Sequence, residues 1–426
     1  MIRIALTLFG IGLAWSLSDA AASSQVDPAR TPVFTVLHHF TGQGSAGGRA
    51  PQAALIIDGK NNLYGTTVQG GTGAACGATR CGTVFMLAHP AANTTTWTYT
   101  VLHQFTDGSD GALPFGSLLM DKTGALYGTT NIGNGAGTVY KLAPIPKSTR
   151  WSFSVLHGFS GGLRDGEFPL GELIADKTGA LYGTTSEGGA FNLGIVFKLT
   201  PPATSNAPWA LTVLYSFRPS TGNSPSNGLV LDAKGKFYGA AQQGGSKQAG
   251  TIFTLTPPAT SNGSWGYQEP HTFVGPYTDG EFPANSLLLR NGILYGTTVE
   301  GGTNNLGTIF SYRLPSVNQP VGQYKVLHSF TVAEGTQIYS NLIADSTGAL
   351  YGVAESGGAH NAGTIFKFKP GSGNKAGTLT ALHDFVRASD GEGPMGGLVA
   401  GPGGRFFGTT SAGGAHNAGT IFMIVP

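Results

Sequence analysis

The sequence predicts an all-β fold, a seven-bladed β-propeller of four-stranded antiparallel blades. Three observations carry that prediction. Three short sequence elements each recur seven times. Each element has strand chemistry bounded by turn residues. Helix-building residues are scarce: only 11% of the 426 residues are charged, while 68 are Gly, against usual shares of about 25% charged and about 7% Gly.

The first element is a Tyr-Gly step at Tyr64, Tyr127, Tyr182, Tyr238, Tyr295 and Tyr351, with Phe407 as the seventh copy. The second is Gly-Thr-Val/Ile-Phe or a close variant, beginning at Gly82, Gly137, Gly194, Gly250, Gly307, Gly363 and Gly419. The third is Val-Leu-His-x-Phe, centred on His38, His103, His157, Tyr215, His271, His328 and His383. A period near 56 residues places one four-stranded unit in each copy. In the third copy "LGELIAD" (170–176) reads as the first strand and "KTG" as a tight turn, with Gly179 supplying positive φ. "ALYGTT" reads as the second strand, "GIVFKL" as the third and "WALTVLYSF" as the fourth. The Gly after each Tyr is expected to admit a neighbouring sheet at close range. The repeat region opens on a fourth-strand element, "FTVLHHF", and ends on a third-strand element, "GTIFMIV". The N-terminal strand is therefore expected to complete the last blade and close the ring, which removes the open edges a linear array would expose.

The recurring "LYGTT…GG…GTVFKL…VLHxF" pattern resembles the GloVer tandem-repeat family, exported bacterial proteins whose members differ in their C-terminal anchors. The similarity covers essentially all of the chain after residue 22. It implies export and a propeller-like repeat, and it carries over no catalytic residue. Anchored members end in a segment that "GTIFMIVP" does not match.

Residues 1–22 read as a secretory signal, 23–32 as a linker and 33–426 as the propeller. Arg3 supplies the positive start, "IALTLFGIGLAW" the apolar stretch, and small residues follow to Ala20 and Ala22. The apolar run is too short for a stable membrane span. A secreted or periplasmic monomer is the expected state. With a formal charge of +2 and no run of Lys or Arg, no nucleic-acid or acidic-membrane partner is indicated. Cys76 and Cys81 are the only cysteines. An oxidising compartment permits a disulfide between them; the competing reading is a redox or metal pair, although the spacing is not Cys-x-x-Cys.

Histidines repeated one per blade on an outer strand cannot converge on a metal, so hydrogen bonding at the blade edge is their expected role. Two loop sets are expected on one face. Loops from fourth to first strands carry Asp165, Glu167, Asp279, Glu281, Asp390 and Glu392. Loops from second to third strands carry Glu187, Asn192, Glu300, Asn305, Glu355, His360 and His416. Such a rim suits a hydroxyl-rich ligand such as a glycan, or a hard cation such as Ca²⁺. No calcium-loop spacing is present and no cofactor is implied. The competing reading is turn chemistry, with Asp and Asn bonding their own backbones. Arg80 and the cysteines lie in an insertion unique to the first module, and Lys247 with Ala240-Ala241 marks the fourth. Trp97, Trp151, Trp209 and Trp265 sit six residues before the His position, either as cover over a long hairpin or as platforms for sugar rings.

No nucleophile elbow, zinc-protease helix motif, P-loop or dinucleotide fingerprint occurs in a supporting context. The expected function is therefore non-catalytic binding of a glycan, an envelope component or a protein partner through the loop-rich face. The alternative is a polysaccharide-active enzyme, a hydrolase or lyase, working at the central mouth.

Overall fold

Seven antiparallel sheets form the blades, six of four strands and one of five. The structure, a computed structural model, describes residues 31–42, 47–72, 76–77, 81–204, 207–260, 263–283, 286–371 and 375–426. The signal segment, most of the linker and Arg80 lie outside the described residues. Blades are numbered 1 to 7 from the Tyr64 copy onward. Blade 3 consists of Ile174–Ala175, Leu181–Thr185, Ile195–Thr200 and Ala210–Ser216, paired in that order. Blade 7 takes three strands from the end of the chain and its fourth, Val33–His39, from the beginning. Val33 pairs with Val425 and His39 with Thr420, so the ring closes as the sequence predicts.

The first strands are shorter than expected, two residues in most blades. The residues before them leave the ladder and line a tunnel along the axis, with every blade contributing. The second strands are sandwiched between neighbouring blades, and all five residues of Leu181–Thr185 are buried. The glycine after the tyrosine serves a nearer neighbour than expected. A Cβ on Gly183 would lie 2.7 Å from the Phe197 ring, which belongs to the third strand of the same blade and pairs across from it. The glycine thus makes room for an aromatic ring within its own sheet.

That ring is half of a joint between blades. Phe159, ending the fourth strand region of blade 2, packs edge-on against Phe197 of blade 3 at 5.3 Å. The same joint recurs as Phe40–Phe85, Phe105–Tyr140, Phe217–Phe253, Phe273–Phe310, Phe330–Phe366 and Phe385–Phe422. Edge-to-face geometry suits the ring quadrupoles and adds about 0.5–1.5 kcal/mol per pair beyond area burial. The first Thr of "LYGTT" adds a polar stitch. Thr184 Oγ1 donates to the Asn227 carbonyl of the next blade at 2.7 Å, and Thr409 Oγ1 to the Ala53 carbonyl at 3.5 Å. Blade 4 has Ala240-Ala241 here, both buried. Its link to blade 5 comes instead from Asn227 Nδ2, which donates to the Pro283 carbonyl at 3.0 Å. That substitution belongs to the blade interface rather than to a ligand site.

Candidate functional site

The fold consumes much of the predicted polar face. His157 Nε2 lies 3.2 Å from Asp165, His271 2.9 Å from Asp279 and His383 2.8 Å from Asp390. His103–Asp110 and His328–Glu334 repeat the clasp. Each acid also accepts the backbone N–H that starts its loop, as Ser160 donates to Asp165 at 2.9 Å and Val274 to Asp279 at 2.8 Å. Burial alone would raise the carboxyls of Asp165 and Asp279, but these hydrogen bonds outweigh it and hold both below the ordinary value. Most of the imidazoles also stack flat on an aromatic of the next blade: His383 on Phe34, His271 on Tyr324 and His103 on Phe153, at 3.8–3.9 Å. The repeated histidine is an inter-blade clasp.

The asparagines are turn residues. Asn192, Asn305, Asn361 and Asn417 all have positive φ. Their Oδ1 atoms accept from Gly188, Gly301, Gly357 and Gly413. Glu392 is held by Arg387 Nε at 2.9 Å, and Glu167 accepts from the Gly162 N–H at 3.3 Å.

The two loop sets do share one face, because they pair with each other. Glu167 stands opposite Glu187 and Glu281 opposite Glu300 in short ladders, while Thr336 bridges Ser356. Four of the predicted carboxylates, Glu187, Glu281, Glu300 and Glu355, accept no side-chain hydrogen bond from the described residues. Three of these four belong to blades 5 and 6. Burial and the charge of Glu300 push the Glu281 carboxyl up, and burial pushes up that of Glu355. Between them stands Tyr339, raised by burial and then by the charges of Glu355 and Glu300. Tyr339 lies two residues before the tunnel-lining Asn341, and the loops carrying these carboxylates share one face, so the group borders the loop-side mouth of the tunnel.

Tyr339 was not among the sequence candidates. Its signal was there: "IYSN" departs from the proline-led "PLGE" and "PFGS" of other copies. Glu172 was missed for the same reason. It is the one carboxylate at a position otherwise held by Ala54, Ser117, Gly228, Ser286, Asn341 and Gly397. Its carboxyl lies against Gly228 and Ser286, and burial pushes it up. The tunnel there holds only about 70 Å³, far below the roughly 300–1,000 Å³ of ordinary ligand pockets.

Lys247, His360 and His416 are exposed on separate loops. Cys76 and Cys81 form a disulfide with Cα atoms 5.2 Å apart. The tryptophans act as cover: Trp151 packs on Tyr64 of the preceding blade, Trp97 on Phe407 and Trp265 on Phe237. Among the described residues no three His, Cys, Asp or Glu side chains are grouped to hold a metal ion, and no helix is long and apolar enough to cross a membrane.

Ring closure, seven repeated blades and a loop-built face define a β-propeller of tandem repeats. The chain belongs to the Gloeobacter/Verrucomicrobia repeat family, whose pattern matches residues 22–161, 134–321 and 260–426. No curated protein matches it. Among solved structures it is similar to an ancestral GH74 enzyme, with 9% identity and a TM-score of 0.53 over 89% of this chain and 48% of that one. It thus spans about half of that enzyme. It is also similar to the polysaccharide lyase Uly1 (11% identity, TM-score 0.49, 91% and 93% covered) and to a protein of unknown function from Dyadobacter fermentans (10%, 0.43, 82% and 96%). At these identities the likeness concerns the fold alone.

Proposed function

We propose that this is an exported, non-catalytic binding protein that holds a glycan on its loop-rich face, at the tunnel mouth. One observation carries the reading. The fold ties up the repeated Asp, Asn and His residues, yet leaves Glu281, Glu300, Glu355 and Tyr339 together without side-chain hydrogen bonds among the described residues. Carboxylates and a phenol in a shallow, water-facing group accept and donate hydrogen bonds to sugar hydroxyls. The narrow tunnel offers no deep pocket in which to enclose a reacting bond. The apolar leader and the disulfide support export.

The test is a glycan array followed by calorimetry on the hits. Glu355→Gln with Tyr339→Phe should weaken binding about tenfold or more, as expected for losing a hydrogen bond to a charged group. Unchanged binding in that variant sinks the site. A hydrolase remains the second reading, because Glu281 and Glu355 hold their protons to higher pH than ordinary carboxyls, as a general acid must. Release of reducing ends from a polysaccharide panel, lost in Glu355→Gln, would replace the binding reading with that one.

A further inference from the structure

A second candidate site lies at the opposite end of the blades, among the hairpins that join first to second and third to fourth strands. There a cleft of about 1120 Å³ opens between blades 4 and 5. Three departures from the repeat create it. Blade 5 has Gly322 where blades 1 to 4 carry the covering Trp. Blade 4 has Glu269-Pro270 where other fourth strands carry Val-Leu or Ala-Leu. It also has Thr254 where blades 2, 3 and 6 place a lysine over the second-strand tyrosine, as Lys198 sits 5.5 Å from the Tyr182 ring. In blade 4 Lys236 from the hairpin covers Tyr238 instead, also at 5.5 Å.

The charges of the cleft are unevenly committed. Lys234, Lys236 and Arg313 line it, and none forms an ion pair with a described residue. The acids on the same walls are engaged by the fold. Asp232 accepts the N–H groups of Lys234 and Lys236 and the Tyr238 hydroxyl, at 2.8, 2.9 and 3.1 Å. Glu269 accepts the Thr272 hydroxyl. Thr254, in place of the lysine of blades 2, 3 and 6, lies buried on the cleft wall and leaves the space above it open.

We propose that the cleft between blades 4 and 5 binds an anionic saccharide, a chain whose sugars carry carboxylate or sulfate groups. Lys234, Lys236 and Arg313 receive the anionic groups. Gln268, Ser316 and Gln319 on the cleft walls supply hydrogen-bond partners for sugar hydroxyls. Three cations stand against two acids on these walls, so a neutral sugar would leave a net positive charge unmatched. The site is separate from the tunnel mouth and does not depend on it.

The experiment is calorimetric titration of the full chain with three oligosaccharide probes of equal length: a polyuronate, a sulfated neutral chain and an unmodified neutral chain. One or both anionic probes should bind, more weakly as salt rises, and the neutral probe should bind at least about tenfold less well. Which anionic probe binds distinguishes the carboxylate from the sulfate source. Two variants locate the binding. Gly322→Trp with Tyr312→Leu restores the arrangement of blades 1 to 4 and should abolish it. Lys236→Ala with Arg313→Ala, which leaves the core untouched, should reduce it about tenfold or more. Glu355→Gln with Tyr339→Phe should have no effect on it. Equal binding of the neutral probe, no binding of either anionic probe, or full binding by the lysine–arginine variant would overturn the proposal.

Discussion

Blades 1 to 4 and blades 5 and 6 solve one packing problem in two ways. In the first four, a Trp at the start of the fourth strand lies over the gap to the preceding blade, and the third strand carries Leu87, Leu142, Leu199 or Leu255. In blades 5 and 6 the Trp becomes Gly322 or Gly377, and the third-strand residue becomes Tyr312 or Phe368. A Cβ at either glycine would run into that aromatic ring. The volume has moved from one strand to its neighbour. Phe368 fills the exchanged space completely and is fully buried. Tyr312 does so beside a shortened side chain at Pro270, and a cleft remains. Two repeats with the same compensation therefore differ in surface shape because of a third position.

Removing the transferred ring should give the largest effect. Phe368→Ala is expected to cost about 3–5 kcal/mol of stability, read from denaturant midpoints. A loss below 1 kcal/mol would mean that blade 6 does not rely on the exchange. Transplanting the exchange should sharpen the comparison. Trp151→Gly in blade 2 should destabilise by about 2–4 kcal/mol, and adding Leu142→Phe should recover at least ~1 kcal/mol of it as a favourable coupling in a double-mutant cycle. Additive losses would show that the two solutions are not interchangeable.

The smallest effect separates the clasps. His38 is the one repeated histidine without a carboxylate partner among the described residues, and burial, with the nearby His39, lowers its pKa to about 4. The unfolded chain then binds more protons than the folded one between about pH 4 and 6.5, so His38 contributes stability that is present above pH 6.5 and lost as pH falls toward 4. His38→Tyr, which introduces the residue that blade 3 carries at Tyr215, should flatten the fall in melting temperature between pH 7 and pH 5. In the clasped blades, Asp165 and Asp279 have depressed carboxyls, whose contribution is lost only below about pH 4. An unaltered slope in the His38 variant would assign the pH response elsewhere.

The architecture was legible because the repeat is physical as well as textual. Leu-Tyr-Gly-Thr-Thr reads as a strand from composition alone, and the displaced "FTVLHHF" announces ring closure. The structural reading of the histidines also followed from their one-per-blade spacing. The site was only partly legible. Glu281, Glu300 and Glu355 stood out as loop carboxylates, yet so did Asp165, Asp279 and Asp390, which the fold uses itself. Telling them apart requires knowing that a histidine seven or eight residues earlier points back at the loop. Tyr339 and Glu172 sit in the short inward segments, where burial by the six other blades cannot be read from a single copy. The cleft was visible only as absences, a Trp and a Leu missing from a pattern.

Closure by Val33–His39 has a consequence for how the molecule is made. The strand that emerges first from the ribosome must wait for Thr420–Val425, almost the whole chain later, before its ladder exists. Every other blade completes itself from neighbouring sequence. The seam is thus the most non-local pairing in the molecule, and such pairings form slowly because the loop they close is long. Six blades can assemble in order of synthesis while the seventh stays open, with Phe34 and Phe422 unjoined. The last step of folding is then a search of the chain for its own beginning, and it is the step at which a second molecule would compete.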